Sequence, residues 1–491
     1  MRLQTLATLA AAVVGSAQAA SSSSPSSSGL QSTACVSASE SSDQFPTKSE
    51  VKHATLFGIE YKNTYKVLSS SAANGTYVLY QCGSEKPNVA GAAAYIPVPV
   101  SKSASWSTSA NVFLQALGVQ NTLRNLGTAP SVVSACLQKL LEDVIAPFNE
   151  ANETATDSQE LANDVVFNMP GGEDDPANTV LTAEYLESSA LGRSEWLKFF
   201  AAFFNAEERA NDLFEQIEAN YDCLAGKAAA EYNDIRPVVA WTSYAAPTEY
   251  NNNTAYWQIS YADYKYDVVR DAGARMLNTT GPQATMFDSA AAFLDALEDA
   301  DILIDESFVS YSYDDLMSKY GVSDSSAASK YSWAAAARVF RPDRLQSAAG
   351  GLAWFESPLV FADALLQDLV GVAHPKFIAD GYQPIWFRNL ADDESVVVVS
   401  AANCTDMYAQ LADPASQCSK LDFQSADAAD AAYSGVDENQ TQDLIYDLSK
   451  SEVINDSADE SDAASTSAAP VHRAAAAASL ALMLALVAVL L

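Results

Sequence analysis

The stretch Phe203–Tyr221 reads FFNAEERANDLFEQIEANY. Asn205 followed three residues later by Glu208 has the form of a capping box. Apolar residues then recur at Ala210, Leu213, Phe214, Ile217, Tyr221 and Leu224, the spacing of one buried helix stripe. Pro237 ends the pattern. The spacing predicts a helix from Ala206 to Ala228, roughly 35 Å long at 1.5 Å per residue. It stands near the middle of the chain with strand- and helix-forming sequence on both sides.

Upstream, HATLFGIEYKNTYKVLSS alternates, and TYVLYQCG follows across Asn-Gly, a hairpin signal. AAAYIPVPV reads as extended, NVFLQALGV as a helix closed by Gly118, and NDVVFNM as a short buried strand. Downstream, RPVVAWTSY and DILIDES read as strands; YDVVRDAGARML, AAAFLDALEDA and SPLVFADALLQDLVGV read as helices. Strands alternate with helices in both halves. The expected fold class is α/β: two sheet-and-helix lobes joined by one long bridging helix, with a ligand cleft between them.

The two ends frame this body. Residues 1–19 have the form of a secretory signal, and a Ser-rich arm occupies 20–45. The N-terminal lobe is placed at 46–190, a helix pair including the bridge at 191–230 and the C-terminal lobe at 231–423. An acidic stalk fills 424–465. Residues 466–491 end in an uncharged apolar run behind a polar spacer, the pattern of a GPI-attachment signal, with Ser465 as the attachment site. A C-terminal membrane span is the alternative, although the run is short of the ~20 residues a span needs.

Sequons at Asn74, Asn152, Asn252, Asn278, Asn403, Asn439 and Asn455 fit a secreted glycoprotein of a eukaryotic cell surface. Six cysteines suit disulfides in that compartment. Cys404 with Cys418 is the first expected pair on sequence proximity; Cys35–Cys82 and Cys136–Cys223 would use the rest, among fifteen possible pairings. The net charge of −35 excludes nonspecific nucleic-acid binding.

Catalytic signatures are missing. With His53, His374 and His472 the only histidines, a multi-histidine zinc or manganese site is excluded. No G-x-S-x-G and no glycine-rich phosphate loop occurs. No enzyme activity and no cofactor are expected.

Four segments carry a family resemblance: IEYKNTYKVL (59–68), EYLESSALGRSEWLKFF (184–200), ADILIDESF (300–308) and AGGLAWFESPLVFADALLQDLVGVAHPKF (349–377). In order and spacing the chain from about 50 to 390 resembles the solute-binding proteins of ABC importers for ferric siderophores and cobalamin, the helical-backbone type. No lipobox cysteine follows the signal, unlike the lipidated members of that family. The resemblance implies capture of an iron chelate or cobalamin-like small molecule, and puts delivery to an ABC permease in doubt. A surface structural or adhesion protein that keeps the fold without a ligand is the alternative.

Cleft candidates lie in four places. Trp106 offers a stacking face, and Ser107 and Thr108 precede helix amides able to hold an anion; the plain alternative is a helix cap with a core Trp. Glu187 and Arg193 border the cleft in the resembled family, or form a structural pair. Tyr244, Trp257, Tyr261 and Tyr264 lie in an aromatic, turn-rich segment. Trp354 and Glu356 sit in GGLAWFESP, with Arg338, Arg341 and Arg344 just upstream as partners for an anionic ligand or for surface acids.

Overall fold

The computed structural model describes residues 34–424, apart from 72–74, 171–175, 233–235, 278–285, 310, 323–324 and 379–380, and a short strand at 452–453. The expected signal, most of the expected acidic stalk and the expected tail, with Asn74, Asn278, Asn439, Asn455 and Ser465, lie outside the described residues. No helix among the described residues is long and apolar enough to cross a membrane.

An N-terminal sheet comes first. Strands β1 (Phe57–Tyr61), β2 (Tyr65–Ser70) and β3 (Gly75–Gln81) are antiparallel neighbours, and β4 (Ala94–Val98) pairs parallel with β3. The hairpin lies where Asn-Gly places it. The first lobe's own sheet has the order β7-β6-β5-β8-β9, all parallel. Its strands are β5 (Ser103–Ser105), β6 (Leu123–Leu126), β7 (Ala146–Pro147), β8 (Val165–Asn168) and β9 (Thr179–Leu181). Helices α1 (Thr108–Ala116), α2 (Ala135–Asp143) and α3 (Glu153–Leu161) alternate with them.

Helix α4 (Ala190–Ala202) is buried all round and leads into α5 (Glu207–Tyr232), the bridge. With 26 residues, α5 spans about 39 Å. Its buried residues include Ala210, Leu213, Phe214, Ile217, Tyr221 and Leu224, the stripe read from sequence, and continue through Ala228 to Tyr232.

The start of α5 differs from the expected cap. Asn205 takes a left-handed backbone, φ 51°, and Ala206 occupies the cap position. The reason is Lys66, whose side chain is fully buried. Its ammonium donates to the Ala202 carbonyl, the Asn205 side-chain oxygen and the Glu207 carboxylate. A buried charge needs such oxygens around it, and Asn205 supplies one.

The second lobe's sheet has the order β13-β11-β10-β14-β15-β17, with β12 also on β10. Strand β10 (Val238–Ala245) runs parallel to β12 (Arg275–Met276) and β14 (Ile302–Asp305). Strand β15 (Val339–Arg341) is parallel to β14; β11 (Tyr256–Ile259), β13 (Met286–Phe287) and β17 (Arg388–Asn389) are antiparallel to their neighbours. Helices α6 (Asp263–Asp271), α7 (Ala290–Ala296), α8 (Tyr313–Tyr320), α9 (Ser325–Ala328) and α10 (Ser332–Ala335) join them. Helix α11 (Ala362–Ala373) follows a short 3-10 turn at Ser357–Leu359, so the helix expected at Ser357-Pro358 begins later.

Period-two alternation splits this sheet between two cores. Val239, Trp241, Ile302, Ile304 and Phe340 face one core, which continues through α5 and α11 into the first lobe. Val238, Ala240, Leu303 and Val339 face a separate outer core with Phe293 and Trp333. The two lobes therefore share packing through the bridge.

The segment 391–424 forms a strap. It begins with β18 (Val397–Val399), which pairs parallel with β16 (Leu345–Ser347) and antiparallel with β19 (Glu452–Val453). It then crosses to the first lobe: Gln138 donates to the Val399 carbonyl and Gln120 to that of Ala409, and the Leu411 amide donates to the Gln115 carbonyl. Finally it runs beside α5, where the Cys418 amide donates to Asn220 and Lys227 donates to the carbonyls of Cys418 and Leu421.

This path corrects the expected disulfides. Cys35–Cys82 forms, but Cys404 bonds Cys136 on α2 and Cys418 bonds Cys223 on α5. The strap runs from one element to the other between the two cysteines, so closeness in sequence does not bring Cys404 and Cys418 together.

Candidate ligand cleft

In parallel α/β sheets, loops at the carboxyl ends of the strands build ligand sites. Here the loop beyond β16, from the small sheet of β16, β18 and β19, meets the loop at the carboxyl end of β6 in the first lobe. Gly351, beyond β16, lies so close to Ser131, beyond β6, that a Cβ on it would sit 2.2 Å from the Ser131 carbonyl oxygen. Ser347 donates to the Pro130 carbonyl at 2.9 Å, and the Val133 amide donates to Glu356 at 3.0 Å. This side of the junction is closed by direct contact.

Several expected ligand residues are engaged by partners inside the fold. Glu356 is 1 % exposed, and burial pushes its carboxyl up to about 8. Trp354 is buried, stacked on Trp241 with centroids 5.8 Å apart. Glu187 is buried and accepts from the amides of Thr55 and Leu56 and from the Trp196 indole. The buried Arg193 donates to the carbonyls of Glu187 and Tyr185, and its guanidinium lies 3.4 Å from the centroid of the buried Tyr264 ring. Ser107 caps α1, its Oγ accepting from the Ala110 amide, and Thr108 opens that helix. Arg338 donates to the carbonyls of Val372 and Ala373, holding the end of α11. Each of these side chains thus spends its polar atoms or its ring on neighbours within the fold.

The aromatic residues divide. Tyr244, near the carboxyl end of β10, pairs directly with Trp257 on β11, and their rings lie 5.5 Å apart. Tyr311 adds an edge to Tyr244 at 6.1 Å. All three are half-buried, and beyond β14 the neighbouring loop exposes Phe308 and Val309, at 73 % and 52 %. Tyr261 turns instead onto Tyr266, with centroids 6.3 Å apart. In the first lobe, Trp106 is half-buried beyond β5, stacked on Phe148 at 4.3 Å, and its indole donates to Glu160 at 2.6 Å. Gly127 permits this: a Cβ there would lie 2.2 Å from the Trp106 ring.

Sequence reasoning missed Tyr311, Phe308 and Val309. The signal was present, since FVSY directly follows the strand DILIDES. Exposed apolar side chains just past a strand end are candidates for contact with a ligand or partner.

Charges at the carboxyl end of the second lobe's sheet are internally paired. Arg341 is held by Asp305 and Asp343 and by the Ser307 carbonyl; Arg388 also pairs with Asp343. Arg344 donates to the Pro384 carbonyl and to Gln383. Lys265 pairs with Glu306.

No protein-family model matches the chain. An uncharacterized lipoprotein of Methanocaldococcus jannaschii is 31% identical over 134 residues, which are 24% of this chain and 32% of that protein. The match thus spans about a third of that relative's length. Among solved structures, a periplasmic binding protein from Veillonella parvula aligns with TM-score 0.41 and 11% identity over 65% of this chain and 98% of that one. A periplasmic heme binding protein from Pseudomonas aeruginosa aligns with TM-score 0.40 and 14% identity over 59% and 97%. The siderophore binding protein FhuD from Vibrio cholerae, bound to Fe3+-Desferal, aligns with TM-score 0.39 and 16% identity over 55% and 98%.

A groove of about 850 Å³ lies elsewhere, lined by Arg236, Arg270, Arg275, Asp299 and Asp301 among others. It sits at the amino ends of β10 and β14, where Val238 and Asp301 lie, away from Tyr244. Two of the sequons, Asn152 and Asn252, are exposed. Asn403 is buried with its side-chain oxygen accepting from Ser400, which leaves that expected glycosylation site without access to solvent.

Proposed function

We propose that this chain is a non-catalytic solute-binding protein of the cell surface, GPI-anchored through Ser465. Its cleft takes an organic iron chelate or a cobalamin-like molecule. The observation that carries the reading is the Tyr244–Trp257 pair beside exposed Phe308, at the carboxyl ends of β10 and β14, where loops of parallel sheets build ligand sites. Aromatic faces give large, rigid contact area to a guest at little entropic cost. The resemblance of residues 50 to 390 to solute-binding proteins supports the same reading.

Titration with a ferric hydroxamate, hemin and cobalamin, followed by intrinsic Trp fluorescence, tests it. At least one should quench, and the Trp257→Phe variant should lose most of that signal. No response to any of the three would overturn the proposal. The alternative, a structural or adhesion protein without a ligand, is favoured by the Ser131–Gly351 contact that closes one side of the junction. It would gain from that null result.

A further inference from the structure

We propose that the groove at the amino ends of β12, β10 and β14 binds a short peptide-like dipolar ion, its carboxylate on Arg275 and its ammonium on Glu298 and Asp299. This site is separate from the cleft of the proposed function and does not depend on it.

Strand pairing builds the groove. At this end of the sheet β10 lies between β12 and β14, with Val238 opposite Arg275 and Val239 opposite Ile302. The Arg275 amide donates to the Pro237 carbonyl, and the Asp301 amide to the Val238 carbonyl. Arg275, Val238 and Asp301 thus form one row across three strands. Neighbouring strands lie about 4.8 Å apart, so the outer two stand about 10 Å apart.

The two sides carry opposite charge. Arg275 is exposed, and Arg236 lines the groove beside it. The Arg275 Nε donates to the Arg236 carbonyl at 3.2 Å, which orients the guanidinium. Its terminal nitrogens have no partner among the described residues. On the other side Glu298 and Asp299 follow α7; both are exposed, and neither joins an ion pair among the described residues. The remaining charges are committed. Asp301 accepts from the Val238 amide and the Ser332 hydroxyl, and Arg270 pairs with Asp267 and Asp271. Buried Val238, Ala274, Met276 and Leu277 supply an apolar lining between the two sides.

Sign and length together select the guest. A guanidinium fork takes a carboxylate through two parallel hydrogen bonds. The carboxylates across the groove take an ammonium. An extended peptide advances about 3.3–3.6 Å per residue, so three residues span about 10 Å, the width between the outer strands. A free α-amino acid carries both charges on one carbon and cannot reach both sides. The volume of about 850 Å³ lies within the range of small-molecule sites.

Isothermal titration calorimetry of the intact chain with triglycine tests the site, with glycine, N-acetyltriglycine and triglycine amide as comparison probes. Triglycine should bind at least about tenfold tighter than each of the three, and added salt should weaken it. Arg275→Gln should weaken triglycine about tenfold and leave triglycine amide unchanged. Glu298→Gln combined with Asp299→Asn should weaken triglycine by a similar factor and leave N-acetyltriglycine unchanged. All three positions are exposed, so the substitutions leave the core intact. Absence of triglycine binding, equal binding of any comparison probe, or full triglycine affinity in either variant overturns the proposal. None of these probes is a chelate and neither variant touches Tyr244 or Trp257, so the outcome leaves the cleft reading to its own titration.

Discussion

The rings of Tyr232 and His374 lie face to face, 3.7 Å apart and 9° from parallel, where the bridging helix ends against α11. The imidazole donates from Nε2 to the Gly273 carbonyl at 3.1 Å. Burial lowers its pKa to about 4. In the unfolded chain the same group titrates near 6.5. The unfolded state therefore binds the extra proton, and stability is lost as pH falls from about 6.5 toward 4, by up to about 3 kcal/mol. His374→Phe should flatten this part of the urea-denaturation profile. An unchanged acid slope in that variant would contradict the assignment.

Glu356 works in the opposite direction. Its carboxyl is pushed up to about 8 by burial at the lobe junction, so it is mostly protonated at neutral pH. A raised folded pKa contributes stability that is fully present below about 4.5 and lost as pH rises through 8. Glu356→Gln mimics the neutral form. It should be nearly silent at pH 5 and should reduce the alkaline loss, whose upper bound is about 5 kcal/mol, as read by denaturant midpoints at pH 5, 7 and 9. Asp368, pushed up to about 7 by burial, adds a separate slope that this variant leaves in place.

The disulfides are expected to map as Cys136–Cys404 and Cys223–Cys418 in non-reduced peptide digests. A peptide joining Cys404 to Cys418 would refute the strap's path. The bonds close chain separations of 268 and 195 residues. Removing either pair as Ser should cost about 3–5 kcal/mol, measured by denaturant unfolding.

Lys66→Met should cost about 3–5 kcal/mol, because it strands the Glu207 carboxylate at the start of the bridge without its buried partner. Replacing both, as Lys66→Met with Glu207→Leu, should recover much of the loss. A double variant no more stable than the single one would show that Glu207 is not the residue left uncompensated.

The stripe of α5 was legible because the three-and-four spacing of Ala210 through Leu224 is a local property of the helix. The β2–β3 hairpin was legible for a similar reason, since turn chemistry is local. The cap at Asn205 was not, because a lysine far upstream claims its side chain. Cys404 and Cys418 were misleading because proximity in sequence says nothing about a chain that runs across two elements. Among the aromatics, Tyr244 and Trp257 do meet. Glu187, Arg193, Trp354 and Glu356 read equally well as ligands or as buried supports, and only their partners decide. Those partners, the amides of Thr55 and Val133 and the rings of Tyr264 and Trp241, are remote in sequence.

The strap also determines how the molecule responds to tension. A pull applied through the chain after Gln424 meets Cys418 a few residues back and passes through its bond to Cys223 into the middle of α5. From there part of the load enters the rod, while β19 hands another part to the β16–β18 pair. A load on that end is thus divided between the spine and the strap's own strand pair, and β10 and β11, which carry Tyr244 and Trp257, belong to neither.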